Sequence, residues 1–385
     1  MPSQHGGCVY PHALLGALHH AGHPVHYGWI GAPLGQGRRA MRDPLRAPYI
    51  ARGWVRDTVR IGPVRVASTL AGWLSRRPAS APARPAEIEH LATPAEQHFA
   101  ADLIKRTRPG AVIVDGTPML TLLDGLPSDV RTTIRVFVLT HNLTHRRTEL
   151  YRAAGQALDF LPMSAIEESA LLRRADTVVA IQDREAEAFR ALLPGKPVIT
   201  VPMPCTPEPL DSAQAEPDRC LFVGGYSGHN ILAVQDLVRA IWPRIRATRP
   251  NAQLAIAGTV GKAVGAAPPG VQLLGPVSDL RSEYARASVC LVPLPMGTGL
   301  KIKMVEAMSY GRPVVTTRAG AEGFDALESG DVVRVADTPG AFADACTDLL
   351  CHPPAWERAV THQLDWIRQN LSGCLALRQL TPLLA

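Results

Sequence analysis

The sequence predicts an α/β protein built from two Rossmann-like domains that face each other across a cleft. Three observations predict it. Short apolar runs suited to buried parallel strands alternate with helical patterns along most of the chain. A proline-rich stretch, Pro202 to Pro217, divides that alternation into two series. Glycine-rich turns follow several strands, Gly224-Gly225 and Gly297–Gly299 among them. The 385 residues suit two cores at roughly 150 residues each. The expected divisions are 1–205, 206–365 and a C-terminal helix at 366–385 that packs back on the first domain.

In order, the first seven residues read as a turn, and Tyr10 to Ala21 as a helix with Leu14, Leu15 and Leu18 on one side. Gly22 ends it, and Val25 to Ile30 reads as a strand. This is half of a βαβ unit whose first strand is missing or very short. Residues 31–86 are rich in Arg, Pro, Ala and Gly, with an exposed loop expected at Ser75 to Pro85. Then follow a helix (Pro94 to Arg108), strands (Ala111 to Asp115, Ile134 to Thr140), a helix (Met163 to Arg174), a strand (Thr177 to Ile181), a helix (Asp183 to Leu193) and a strand (Val198 to Val201). The second series places strands at Cys220 to Val223, Gln253 to Ala257, Val271 to Leu274, Val289 to Pro293, Pro313 to Thr317 and Val332 to Val335. Its helices are Ile231 to Thr248, Leu280 to Ala287, one running to Ser309, and Pro339 to Leu350. Ligands of such sheets bind outside the carboxyl ends of the strands, so the cleft is the expected site.

A composition of 46% hydrophobic and 19% charged residues excludes collagen, a coiled coil and global disorder. No run of ~18 uncharged apolar residues and no signal-peptide pattern occurs, so a cytoplasmic protein is expected. The seven cysteines are widely spaced without a CxxC pair and read as reduced thiols. His12, His19, His20, His23 and His26 lack the carboxylate or cysteine partners of a closed metal site, so no metal is expected. Charge is uneven. Residues 1–205 hold 24 Lys+Arg against 17 Asp+Glu, a net of +7, and the remainder 16 against 17, a net of −1. That basic half, with its arginine-rich Arg38 to Arg77, fits either an anionic partner such as a phospholipid surface or a solvated Arg-rich surface. No nucleic-acid partner is expected.

The most informative segment is Leu291 to Gly323, a strand, a glycine loop, a helix start and another strand. Gly297 and Gly299 let backbone N–H groups approach an anion, and the following helix points its positive end the same way. Lys301 and Lys303 fall in the first turn, two of only five lysines in the chain. Cations there are unfavourable unless an anion compensates them. A diphosphate would do so; two solvated lysines are the alternative. Glu306 is three residues after Lys303 and shares its helix face, placed either to accept from two vicinal hydroxyls or to pair with that lysine. His141 ends a strand at the cleft side, as a functional or a structural histidine. His145, Arg146 and Arg147 follow it, read as a loop that either holds an acceptor phosphate or is merely solvated.

The run Gly297-x-Gly299-x-Lys301-x-Lys303, then Glu306-Ala307-Met308, Gly311-x-Pro313-Val314-Val315 and Gly320-x-Glu322-Gly323 resembles the donor-binding signature of retaining GT-B glycosyltransferases, family 4-like (glycosyl transferases group 1). Phe222-Val-Gly224 with Asn230 and Ile241-Trp242-Pro243, and Gly275-x-Val277-x-Asp279-Leu280 with Tyr284-Ala285, resemble other parts of that family's C-terminal domain. Thr140-His141-Asn142, Ala175-Asp176-x-Val178-Val179 and Gly6-Gly7 with Gly22-His23-x-Val25 resemble its N-terminal domain. Two departures stand out. Many members carry a glutamate where this chain has Thr298, and an Arg and a Lys where it has Gly224 to Asn230.

The resemblance implies a GT-B fold with an N-terminal acceptor domain and a C-terminal donor domain. It implies transfer of a sugar from a nucleotide diphosphate sugar to an acceptor hydroxyl with retention, without cofactor or metal, in glycan, glycolipid or glycoconjugate (polysaccharide) biosynthesis. His141, Lys301 and Lys303 are the implied catalytic residues. Gly224, Gly225, Asn230, Gly297, Thr298, Gly299, Leu300 and Glu306 are implied to bind the donor, and Gly6, Gly7, Asn142 and Arg146 to lie on the acceptor side. A lipid-linked acceptor and peripheral contact with the inner face of the cytoplasmic membrane are the expectations drawn from the basic half. A non-catalytic nucleotide-sugar-binding protein and a sugar-nucleotide epimerase are the rival readings.

Overall fold

A computed structural model describes residues 9–29, 52–55, 58–61, 64–67, 90–324 and 332–384. Its two main sheets lie on either side of the proline-rich stretch. The first is four parallel strands in the order β5-β6-β7-β8: Ala111–Asp115 (β5), Arg135–Leu139 (β6), Thr177–Ala180 (β7) and Val198–Thr200 (β8). Before it come His26–Trp29 (β1), parallel to Arg52–Val55 (β2), and the antiparallel pair Thr58–Ile61 (β3) and Val64–Ala67 (β4). The second sheet is six parallel strands, β11-β10-β9-β12-β13-β14. They are Arg219–Val223 (β9), Gln253–Ala257 (β10), Val271–Gly275 (β11), Val289–Val292 (β12), Val314–Thr316 (β13) and Arg334–Val335 (β14). β9 and β12 are neighbours although two strands separate them in sequence, so the strand order reverses there. The glycine turns after β9 and β12 therefore meet at a topological switch point, where open α/β sheets bind ligands.

The local chemistry explains most elements. Every residue of β7 and β12 is buried, as parallel strands covered on both faces require. The helix Pro94–Thr107 starts on Thr93, which forms a capping box with Glu96, and has proline in its first turn. It ends at Arg108 in the left-handed region, φ 44°. The expected helix Ile231 to Thr248 is interrupted. Gly228–Asp236 passes through a π-helical turn, Leu237–Ile241, into Trp242–Thr248. Pro243 has no N–H to continue the ladder, and the wider turn absorbs that loss.

Two further expectations change. Residues 144–153 form a helix, Thr144–Ala153, although only Leu150, Tyr151 and Ala153 are apolar. Thr144, Thr148 and Tyr151 face inward, so polar threonines supply the buried stripe that a hydrophobic pattern would miss. Residues 366–385 do not form one helix. Pro353–Asn370 stops at Leu371, and two short helices follow, Gly373–Leu377 and Thr381–Leu384. Ser372, Gly373 and Pro382 sit at the breaks. This segment lies on the first sheet's side. Gly373 packs against Ala17, Gln379 Oε1 accepts from Thr200 N at 3.0 Å, and Arg135 donates to the Leu383 carbonyl at 2.7 Å.

The first sheet is cored by Val114, Val136, Val138, Val178 and Phe189. The second is cored by Trp242, Leu254, Ile256, Leu291 and Met304, in a cluster continuous with Tyr10, Leu14, Phe137 and Val179. The two units thus share apolar packing as well as a polar seam. A missing first strand would precede Val9, outside the described residues, as do Gly6, Gly7 and the loop Ser75 to Pro85. Most of Arg38 to Arg77 also lies outside them.

Candidate active site at the seam between the two sheets

The first sheet contributes two side chains from paired strands. Asp115 ends β5 opposite Leu139, and His141 follows β6 by two residues. His141 Nε2 lies 2.6 Å from Asp115 Oδ1. The carboxylate accepts, so Nε2 carries the proton, and in the neutral ring Nδ1 is the acceptor. The Tyr10 ring meets the His141 ring edge-on, with centroids 5.7 Å apart. A hydrogen bond and an aromatic contact thus fix the imidazole plane.

The second sheet contributes the loop Met296–Leu300. Gly299 has φ +71°, and a Cβ there would overlap the His141 carbonyl oxygen. Glycine is needed because two backbones meet at that point. The Gly299 amide crosses the seam to Glu185 Oε1 at 2.8 Å. Lys301, the residue before the helix Ile302–Ser309, is buried, and its Nζ donates to the Gly299 carbonyl at 2.8 Å. Burial lowers the Lys301 ammonium to about 8, against the pull of Glu322 and Glu185.

Lys303 is partly buried. Its Nζ donates to Asn230 Oδ1 at 2.6 Å and stands 4.9 Å from the centre of the Phe222 ring. Loss of solvent lowers it to about 7, although Glu306 draws it upward. Asn230 in turn donates to the Gly225 carbonyl at 3.1 Å and Ser227 Oγ at 3.0 Å. The turn after β9 is thereby tied to the helix after β12. Glu306 Oε2 accepts from Tyr284 Oη at 3.2 Å, and burial raises its carboxyl above the ordinary range. Lys303 and Glu306 each have a separate hydrogen-bond partner, which displaces the simple ion-pair reading of the two.

His229, in the stretch without Arg or Lys, meets Tyr151 of the first unit, Oη to Nδ1 at 2.6 Å. Loss of solvent, with Lys303, Arg147 and Lys301 nearby, lowers it to about 3, so it is a neutral ring at pH 7. The Gly224 carbonyl accepts from Val260 N at 3.2 Å, which stacks the turns after β9 and β10. Beside them a cavity of about 260 Å³ is lined by Gly258, Thr259, Lys262, Leu273, Gly275 and Pro276.

Asn142 lies against Gly299, Leu300 is partly buried against the core, and Thr298 Oγ1 is buried without a hydrogen-bond partner. Gly297 lies against the Lys301 side chain. The structure therefore brings His141, Asn142, Gly297, Thr298, Gly299, Leu300 and Lys301 to one seam. Lys303, Asn230, Gly224, Gly225 and Glu306 form the adjoining wall. His145, Arg146 and Arg147 are helical and engaged. His145 meets Glu168 at 2.6 Å, Arg146 crosses to Glu322 at 2.9 Å, and the Arg147 guanidinium stands 3.8 Å from the Phe160 ring centre. The solvated-loop reading of these three is thereby corrected.

Residues 217–352 match the family model described as glycosyl transferases group 1. Solved structures extend the likeness to the whole chain. HepE of Anabaena, in complex with UDP and glucose, aligns with TM-score 0.66 at 12% identity, covering 100% of this chain and 97% of that one. The fold is GT-B. Sucrose-phosphate synthase of Thermosynechococcus elongatus gives 0.64 at 16% identity over 92% of this chain and 97% of its own. TarM of S. aureus, in complex with fondaparinux, α-GlcNAc-glycerol and UDP, gives 0.63 at 11% identity over 75% of this chain. The chain spans 59% of the length of TarM. A search of curated proteins finds no match. In this GT-B chain the matched C-terminal unit holds the glycine loop, both lysines and Glu306.

Asp115, Glu185 and Tyr151 were not singled out from the sequence. Asp115 had a signal: it ends AVIVD where His141 follows the neighbouring strand. Glu185 had none, because an acid in a helix's first turn is ordinary.

Proposed function

We propose that this GT-B chain is a retaining glycosyltransferase that moves a sugar from a nucleotide diphosphate sugar to an acceptor hydroxyl. One observation carries the reading. Lys301 closes the glycine loop and Lys303 stands in the first turn of the helix Ile302–Ser309, and lost solvation lowers both below the ordinary lysine range. A diphosphate there would restore their charge, meet the helix dipole, and accept loop N–H bonds. The stacked glycine turns and their cavity suit the nucleoside, and Glu306 suits the ribose hydroxyls. HepE and TarM, both solved with UDP, make that nucleotide the first to test.

In the proposed reaction the bond from the sugar's anomeric carbon to the diphosphate breaks. Lys303, Lys301 and loop N–H groups stabilise the departing charge. The acceptor oxygen attacks from the same face, and its proton passes to the leaving diphosphate. No protein nucleophile takes part. His141, held by Asp115, orients the sugar near its reacting carbon.

Glu306→Ala is expected to weaken nucleotide binding by about 1–3 kcal/mol, the range for a lost charged hydrogen bond. Titration calorimetry on the folded variant checks it, and an unchanged affinity removes the donor-site assignment. Thermal shift with a panel of nucleotide sugars selects the donor. Binding without nucleotide release would identify a non-catalytic nucleotide-sugar protein.

The acceptor side is read from charge. Residues 1–205 carry the net positive charge, and each basic group near an anionic surface adds about 1 kcal/mol within a Debye length of about 8 Å. Among the described residues no helix is long and apolar enough to cross a membrane. Salt-sensitive, peripheral binding to anionic vesicles is therefore expected. Co-sedimentation with anionic and neutral liposomes at low and high salt tests it. Equal recovery in the supernatant throughout points instead to a soluble acceptor.

A further inference from the structure

The seam holds a carboxylate that the proposed reaction does not use. Glu185 is 2% exposed in the first turn of the helix Asp183–Leu192, and belongs to the N-terminal unit. Its Oε1 accepts the Gly299 amide of the opposite unit. Its Oε2 is buried without a hydrogen-bond partner. A protein carboxylate thus sits on an amide of the anion-binding loop.

The groups facing Glu185 come from several elements. Lys301 precedes the helix Ile302–Ser309, and Glu322 follows the short helix Arg318–Ala321. The Leu143 amide lies on the loop after His141, and Tyr10 belongs to the helix Val9–His20. Arg146 is engaged by Glu322 and acts on Lys301. Lys301 is the nearby cation, but its Nζ is directed to the Gly299 carbonyl. Glu185 therefore stands in a dry seam with the Gly299 amide on Oε1, the Leu143 amide drawing its carboxyl down, and an incompletely satisfied charge.

We propose that Glu185 is a positioning residue that holds the Gly297–Gly299 loop across the seam and takes up a proton when a nucleoside diphosphate occupies that loop. The inference rests on the donor site proposed above. An arriving diphosphate brings more negative charge than the recharging of Lys301 offsets, so its net effect on the buried carboxylate favours the neutral form. The proton comes from solvent and converts carboxylate to carboxylic acid. Protonation at Oε2 removes the buried charge, while Oε1 keeps the Gly299 amide. Burial already raises this carboxyl to about 7, which brings its titration into the neutral range.

The experiment is calorimetric titration of the full chain with the nucleoside diphosphate that most raises its melting temperature. It is run at pH 8 in two buffers of different ionisation heat. The wild type is expected to take up protons at Glu185 and at the two lysines. Glu185→Gln, which keeps an oxygen for Gly299, should take up fewer by on the order of half a proton. It should also bind at pH 8 severalfold more tightly than wild type. Glu185→Asp keeps a titrating carboxyl but draws it back from Gly299, so severalfold weaker binding with uptake retained is expected. Equal uptake and equal affinity in wild type and Glu185→Gln overturn the inference and leave the donor site standing. Failure of every nucleoside diphosphate to bind overturns both.

Discussion

Lys303→Ala lowers turnover by about 10²–10³, the loss typical of removing one group that stabilises developing charge, while nucleotide-sugar affinity falls much less. The asymmetry follows from where the ammonium stands. In the free protein, lost solvation lowers it to about 7, and its Nζ is occupied by Asn230. A ground-state diphosphate already carries charge, but more appears on the departing oxygen as the glycosidic bond breaks. A cation in a poorly solvated site answers that increase without water having to reorganise. Lys301→Ala acts differently. Lys301 Nζ closes the loop by binding the Gly299 carbonyl, so its loss loosens the donor amides and raises the Michaelis constant as well. Nucleotide release from the donor, with or without acceptor, separates turnover from binding. Unchanged turnover with only a raised Michaelis constant would make both lysines simple phosphate anchors.

The same site explains what the sequence could and could not show. Strand ends and glycine turns are local features, so β5 and β10 matched their expected bounds and most other strands came within one or two residues of theirs. Lys301, Lys303 and Glu306 share one short segment, and their rarity and spacing marked them. The helix Thr144–Ala153 was invisible because its inward face is built from Thr144, Thr148 and Tyr151 rather than from an aliphatic stripe. The seam was invisible for another reason. Glu185 meets Gly299 across 114 residues, and Tyr151 meets His229 across 78. Nothing local distinguishes such residues from a helix-dipole acid or an ordinary half-buried tyrosine. Lys303 illustrates the boundary: its position was readable, but its partner Asn230 lies on the helix after a different strand.

The second large effect falls on His141. His141→Ala is expected to lower turnover by about 10², the loss typical when a reacting group is no longer held in place. The side chain stands at the end of β6, and its own carbonyl lies against Gly299 of the donor loop. Removing the ring leaves that backbone contact in place, so the loop and nucleotide affinity should be largely preserved. Asp115→Asn tests the same geometry from the other side. The amide keeps the size of the carboxylate but can present its nitrogen to Nε2, removing the preference for a proton there and releasing the ring's orientation. It should therefore lower turnover by less than His141→Ala. The pair His141→Ala and Asp115→Asn should also be strongly non-additive, because once the imidazole is gone Asp115 has nothing to orient. Nucleotide release by each single variant and by the double variant measures this. If the two losses multiply independently, Asp115 acts on the substrate in its own right, and His141 is not the group through which it works.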